Sequence, residues 1–103
     1  MYDKYNSKIL DYKDKNIFII FYSSSCKFCV DAINLLKTNN LSFKGYNIDN
    51  IKGNKNRLLH YLKQQKTITS FNENHKTIPI IFYKGKFIGG CSDLKLYLDK
   101  LNN

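Results

Sequence analysis

Long apolar runs are missing from this chain of 103 residues, and none approaches the eighteen or so residues that a membrane span requires. Met1 to Asn16 is polar and charged and lacks the apolar stretch of a signal peptide. Both absences set the expectation of a soluble protein of the cytoplasm with no membrane partner. Cysteine is scarce and odd in number, at three. Two of the three, Cys26 and Cys29, lie too close in sequence to staple a small secreted domain, so a reducing compartment is expected and a disulfide framework is not. Proline occurs once, at Pro79, and arginine once, at Arg57. Acidic residues number 8 against 17 basic ones, which leaves a formal charge of +9. The lysines run from Lys4 to Lys100 without clustering. The charge therefore reads as a solvated surface that draws small anions, and no nucleic-acid partner is expected.

What is present suffices for one compact domain over residues 1–103, with an ordinary apolar content of 43%. Ile17 to Tyr22 is a continuous β-branched and aromatic run, the pattern of a central strand buried on both faces. Val30, Ile33, Leu35 and Leu36 repeat at helical spacing and Asn39-Asn40 supplies a stop, which predicts a helix of about ten residues after the cysteines. Ser42 to Ile48 reads as a second strand. Gly53-Asn54 opens a second helix running through Lys66, with Leu58, Leu59 and Leu62 inward, and Asn72 to His75 reads as loop. Thr67 to Phe71 fits either a further helical turn or an extended loop. Pro79 leads into Ile80 to Tyr83, Lys84-Gly85 makes a tight turn, and Lys86 to Ile88 returns as a hairpin partner. Cys91-Ser92-Asp93 can cap a last helix carrying Leu94, Leu96, Tyr97, Leu98 and Leu101. A short helix around Tyr5 to Tyr12 would precede all of this. The order implies an α/β fold with a four-stranded mixed sheet flanked by helices.

Cys26-Lys27-Phe28-Cys29 sits where a strand hands over to a helix. With Cys26 at the N-cap and Cys29 three residues on, both sulfurs share the first turn and can close a short disulfide. The helix N-terminus and Lys27 are expected to lower the pKa of Cys26. A fall of roughly three units raises the neutral-pH thiolate fraction by about thirtyfold, while intrinsic nucleophilicity drops roughly twentyfold. The larger benefit is that Cys26 becomes a good leaving group, with Cys29 as the resolving thiol. The alternative is half a zinc site, which would need two of Cys91, His60 and His75. None of these forms a second close-spaced pair, so no metal site is expected. His60 reads as a surface or boundary residue and His75 as loop.

Three motifs together resemble the glutaredoxins over nearly the whole chain: Cys26-Lys27-Phe28-Cys29, Thr77-Ile78-Pro79, and Gly89-Gly90-Cys91-Ser92-Asp93-Leu94. The resemblance implies a thioredoxin-like fold and a glutathione-dependent enzyme that reduces protein disulfides and glutathione mixed disulfides through the Cys26/Cys29 dithiol. Glutathione is then the co-substrate, and disulfide-containing or glutathionylated proteins are the partners. It further implies a cis bond before Pro79 that exposes the backbone of Ile78 to the cysteinyl part of glutathione. Gly90, Cys91, Ser92 and Asp93 would hold the γ-glutamyl end at a helix start, with Lys27, Phe28, Lys76 and Thr77 completing the glutathione site. Cys91 reads as structural or adventitiously oxidisable.

The chain departs from the family in three places. Ser23 stands where many members have a lysine for the glycine carboxylate of glutathione, leaving Lys76 and Lys27 to supply that charge. Lys27 replaces the usual proline, which keeps a glutathione-ligated [2Fe-2S] cluster open as a less favoured alternative. A monomer is expected, a cluster-bridged dimer being its counterpart. The segment between Lys66 and Lys76 is longer than usual, with no role legible in it. A thioredoxin-like reductant recharged by a reductase is the other alternative, against which Gly89 to Asp93 argues.

Overall fold

The computed structural model describes residues 12–50 and 54–101. The helix expected around Tyr5 to Tyr12 falls almost wholly outside them. Four strands form one sheet: β1 (Phe18–Tyr22), β2 (Phe43–Asn47), β3 (Ile80–Tyr83) and β4 (Lys86–Gly89), in the spatial order β2-β1-β3-β4. β1 runs parallel to β2 and antiparallel to β3, and β3 pairs antiparallel with β4. The helices are α1 (Lys27–Thr38), α2 (Asn54–Lys63), the single turn α3 (Lys66–Thr69) and α4 (Cys91–Leu101), with a 3-10 turn at Ile48–Asn50. This is the expected mixed sheet flanked by helices. Among the described residues no helix is long and apolar enough to cross a membrane.

The continuous apolar run of β1 follows from its two covered faces. Ile19 and Phe21 point to a cluster with Ile80, Phe82, Leu58, Leu62 and Phe71. Phe18 and Ile20 point the other way, to Ala32, Leu36, Ile81, Leu94 and Leu98. Successive strand residues face opposite sides, so a strand between two layers of helix must be apolar throughout. The edge strands β2 and β4 carry Lys44 and Lys86 on exposed positions, a charge pattern that discourages further strand pairing.

Local stops explain the helix limits. α1 starts three residues earlier than its apolar repeat because Cys26 caps it. It ends where Asn39 donates from Nδ2 to the Leu35 carbonyl (2.8 Å) and Asn40 takes a positive φ of 56°. The helix expected to continue through Lys66 instead stops at Lys63 and restarts as α3. There Thr69 turns its hydroxyl back to the Gln65 carbonyl (2.9 Å) and accepts from the Phe71 N–H (3.2 Å). Ser70 is left-handed at φ 64°, and the turn drops Phe71 into the core at 4% exposure. Burial of that ring outweighs one more turn of regular helix.

At the other end of the sheet, Lys84 and Gly85 both have positive φ (54° and 74°), as a two-residue type I′ hairpin requires. Phe82 pairs with Phe87 but Ile81 with Gly89, so Ile88 is an extra residue in β4. That bulge re-aims the chain at Gly89, just before it enters α4.

Candidate functional site

β1 ends at Tyr22, and Ser23 to Ser25 carry the chain to Cys26 at the N-cap of α1. The Cys26 backbone is extended (φ −94°, ψ 115°) and its Sγ accepts a hydrogen bond from the Cys29 N–H at 3.2 Å. A capping sulfur at a helix N-terminus lies in a field that favours negative charge. On its other side Sγ is 3.7 Å from the Ile78 carbonyl oxygen, and the Ile78–Pro79 peptide bond is cis. All three cysteines are free thiols. Cys26 is half-buried, whereas Cys29 is sealed at 0% exposure.

Burial above all, with the hydrogen bond to Cys26 second, pushes the Cys29 thiol up to about 12. Cys91 is also raised, first by burial and then by the Asp31 carboxylate. Both thiols therefore stay protonated at neutral pH, and Cys26 is left as the sulfur positioned to react. A consequence for stability follows. Between pH 9 and 12 the folded chain keeps the Cys29 proton that the unfolded chain has lost, so folding weakens as pH rises through that window. The difference in unfolding free energy between the wild type and Cys29→Ser should shrink by about 1.4 kcal/mol per pH unit there. Urea melts of both proteins from pH 8 to 11 measure it, and a pH-independent difference would refute it.

Beside Cys26 opens a pocket of about 310 Å³, at the lower end of the size small-molecule sites take. Its lining has two backbone walls, Thr77-Ile78-Pro79 and Gly90-Cys91-Ser92-Asp93, and the ring of Phe28 from α1. These eight are all among the residues expected to bind glutathione. Phe28 is 62% exposed, an aromatic rim that nothing in the core requires. Asp93 reaches back from the first turn of α4 to accept the Gly90 N–H at 2.9 Å. The helix is thus capped from within by Asp93, while Cys91 and Ser92 are simply its first residues.

Lys27 and Lys76 do not line this pocket. Lys27 is exposed on α1, and Lys76 lines a neighbouring groove of about 410 Å³ with His60, Lys63, Phe71 and Glu73. Glu73 is held there by Lys66 (2.6 Å) and Lys63 (3.5 Å). A larger groove of about 780 Å³ runs between α4 and the β3-β4 hairpin and shares only Asp93 with the pocket beside Cys26. Volume alone would thus point away from the reactive sulfur.

Two groups escaped the reading of the sequence. Ser23 is not a vacancy where a lysine belongs: its buried hydroxyl donates to both oxygens of Asp49 at 3.1 Å. The Ser24 N–H also reaches Asp49 (3.4 Å), and Asn47 Nδ2 donates to the Ser24 hydroxyl (3.0 Å). The run of three serines before Cys26 was the one available signal for this network. His75, read as loop, is half-buried and lies 3.3 Å from the Pro79 carbonyl oxygen through Nε2. His60 is exposed on α2 as expected. Among the described residues no three His, Cys, Asp or Glu side chains are grouped so as to hold a metal ion.

The comparisons with known proteins agree with this geometry. The glutaredoxin family model matches residues 18–88. A probable glutaredoxin of Acanthamoeba polyphaga mimivirus is 51% identical over 86 residues, which span 84% of this chain and 81% of that one. Among solved structures, the dithiolic glutaredoxin 2-C-Grx1 of Trypanosoma brucei brucei is 30% identical with a TM-score of 0.65, covering 93% of this chain and 86% of that one. Glutaredoxin 1 of Francisella tularensis is 29% identical with a TM-score of 0.68, covering 84% and 98%. With its thioredoxin-like sheet and a Cys-x-x-Cys pair at the head of α1, the chain belongs to the glutaredoxin family.

Proposed function

We propose that this thiol-disulfide oxidoreductase is glutathione-dependent and acts on glutathione mixed disulfides and protein disulfides. The observation that carries the reading is the sulfur of Cys26, capping α1 and facing the Ile78 carbonyl at the edge of a ligand-sized pocket. In this reading the Cys26 thiolate attacks the glutathionyl sulfur of a mixed disulfide, and the partner protein leaves as a thiol after taking a proton from solvent. A second glutathione thiolate then attacks the Cys26 adduct, releasing oxidised glutathione and restoring Cys26. With a protein disulfide, Cys29 instead loses its proton as it attacks the adduct, giving a Cys26–Cys29 disulfide and a reduced partner. Two glutathiones return that disulfide to the dithiol.

The cysteinyl part of glutathione would pair with the Ile78 main chain. The γ-glutamyl carboxylate would take the free N–H groups at the start of α4, where the helix field favours an anion. The glycine carboxylate falls to Lys76 and Lys27 by charge. A reducing compartment, the cytoplasm by expectation, and a monomeric state belong to the same reading. Toward an iron-sulfur cluster a single chain offers Cys26 as its one accessible site sulfur outside the pocket wall, and no step here passes through one.

The test is turnover of a small glutathione mixed disulfide with glutathione as reductant, run beside thioredoxin reductase as an alternative donor. Saturable turnover with glutathione alone supports the reading, and turnover with the flavoprotein alone would replace it. A second expectation separates the two cysteines. Cys29→Ser should keep deglutathionylation within about threefold, because the main-chain N–H that bonds the Cys26 sulfur survives the substitution. The same variant should lose most reduction of protein disulfides that need the second thiol.

A further inference from the structure

We propose that His75 is a positioning residue for the pocket beside Cys26, holding its two backbone walls at their working separation. The inference rests on the glutathione reading. Three groups meet at one point. The imidazole Nε2 lies 3.3 Å from the Pro79 carbonyl oxygen. The ring's Cε1 lies 3.3 Å from where a Cβ on Gly90 would stand, and the Pro79 oxygen 3.6 Å from that same place. A carbonyl only accepts, so the bond puts a proton on Nε2. Pro79 directly follows Ile78, whose own carbonyl faces Cys26, and Gly90 opens the segment that caps α4. One side chain thus lies against both walls.

The imidazole is itself well held. Its face-to-edge partner is Phe87 in β4, with centroids 5.2 Å apart at 71°. Phe87 in turn packs against Phe71 and Phe82 of the core. On the chain side, the His75 N–H donates to the Asn72 carbonyl (2.9 Å) and the Asn74 N–H to the Asn72 side chain (2.9 Å), which closes the turn that delivers the ring. The geometry also gives a reason for glycine at position 90 that owes nothing to φ: a methyl group there would press on the imidazole. His75 and Gly90 should therefore be energetically coupled.

The experiment is a double-mutant cycle on the full chain, comparing wild type, His75→Ala, Gly90→Ala and the double variant, with His75→Gln as the conservative control. The readouts are KM and kcat for a glutathionylated peptide at saturating glutathione, and the rate of Cys26 alkylation by iodoacetamide. His75→Ala should raise KM about fivefold, the scale of one lost hydrogen bond, with kcat and alkylation within twofold of wild type. His75→Gln, which can still donate to Pro79, should recover most of that KM. Gly90→Ala should raise KM in the wild type but add less than twofold once His75 is alanine. Independent multiplication of the two effects, an unchanged KM in His75→Ala, or equal impairment of the Gln and Ala variants would each overturn the inference. No saturable turnover in the wild type would instead remove the glutathione reading beneath it.

Discussion

Cys26→Ser should lower glutathione-dependent reduction of a mixed disulfide by at least about a thousandfold, equivalent to some 4 kcal/mol of lost transition-state stabilisation. The loss is not of a contact but of the nucleophile. A serine hydroxyl at the same N-cap would still accept from the Cys29 N–H, so the helix should start as before and stability should change little. Neither remaining thiol can stand in. Cys29 is fully buried, and burial, the largest cause of its raised pKa, persists when Cys26 is replaced, so its thiol stays protonated at pH 7. Cys91 belongs to the pocket wall and is raised by its own burial. The measurement is initial rate at pH 7 with glutathione and a glutathionylated peptide, accompanied by circular dichroism to verify folding. A folded variant with more than a tenth of wild-type activity would remove Cys26 from the mechanism.

How far the sequence reveals this site depends on whether a feature is local. Cys26 as N-cap follows from a strand run, a short polar connection and a helical repeat, all within twenty residues, and the structure places it there. The central position of β1 was legible because the six residues of the run Ile17 to Tyr22 could not all be satisfied by one covered face. Pro79 was informative for being the chain's only proline. What could not be read joins residues distant in sequence or depends on packing. Ser23 meets Asp49 across 26 positions, and nothing in either residue type names the other. The break after Lys63 is decided by Phe71, whose ring needs the core more than α2 needs another turn. His75 sits in a stretch without periodicity, and two of its neighbours, Phe87 and Gly90, are brought to it by the β3-β4 hairpin. Lys27 and Lys76, expected to complete the glutathione site, stand outside the lining of the pocket beside Cys26, because charge, which the sequence supplies without direction, does not say which groove a lysine faces.

Gly89→Ala should destabilise the fold by about 2–4 kcal/mol and weaken glutathione binding with it. Gly89 has a φ of 131°, a region that L residues rarely occupy, because the bulge at Ile88 turns the strand sharply before α4. A methyl group placed there would also collide with the Asp93 side chain, its Cβ as well as its carboxyl group. Two costs therefore combine. Backbone strain contributes about 1–3 kcal/mol. Expulsion of Asp93 from the Gly90 N–H contributes about another 1, as for a lost helix cap. For a domain near 100 residues that sum lowers the melting temperature by roughly 10–25 °C. The carboxylate's share of the cost can be separated from the strain by a cycle with Asp93→Ala. Asp93→Ala alone should cost only the cap, and adding Gly89→Ala to it should cost less than Gly89→Ala costs the wild type, since the carboxylate and its bond to Gly90 have gone and only the contact with the Cβ of residue 93 remains. Thermal and urea unfolding of the four proteins measure the coupling. A Gly89→Ala variant within about 0.5 kcal/mol of wild type, the scatter of neutral surface changes, would show that the bulge relaxes freely. The glycine would then serve only the approach of a ligand to the start of α4.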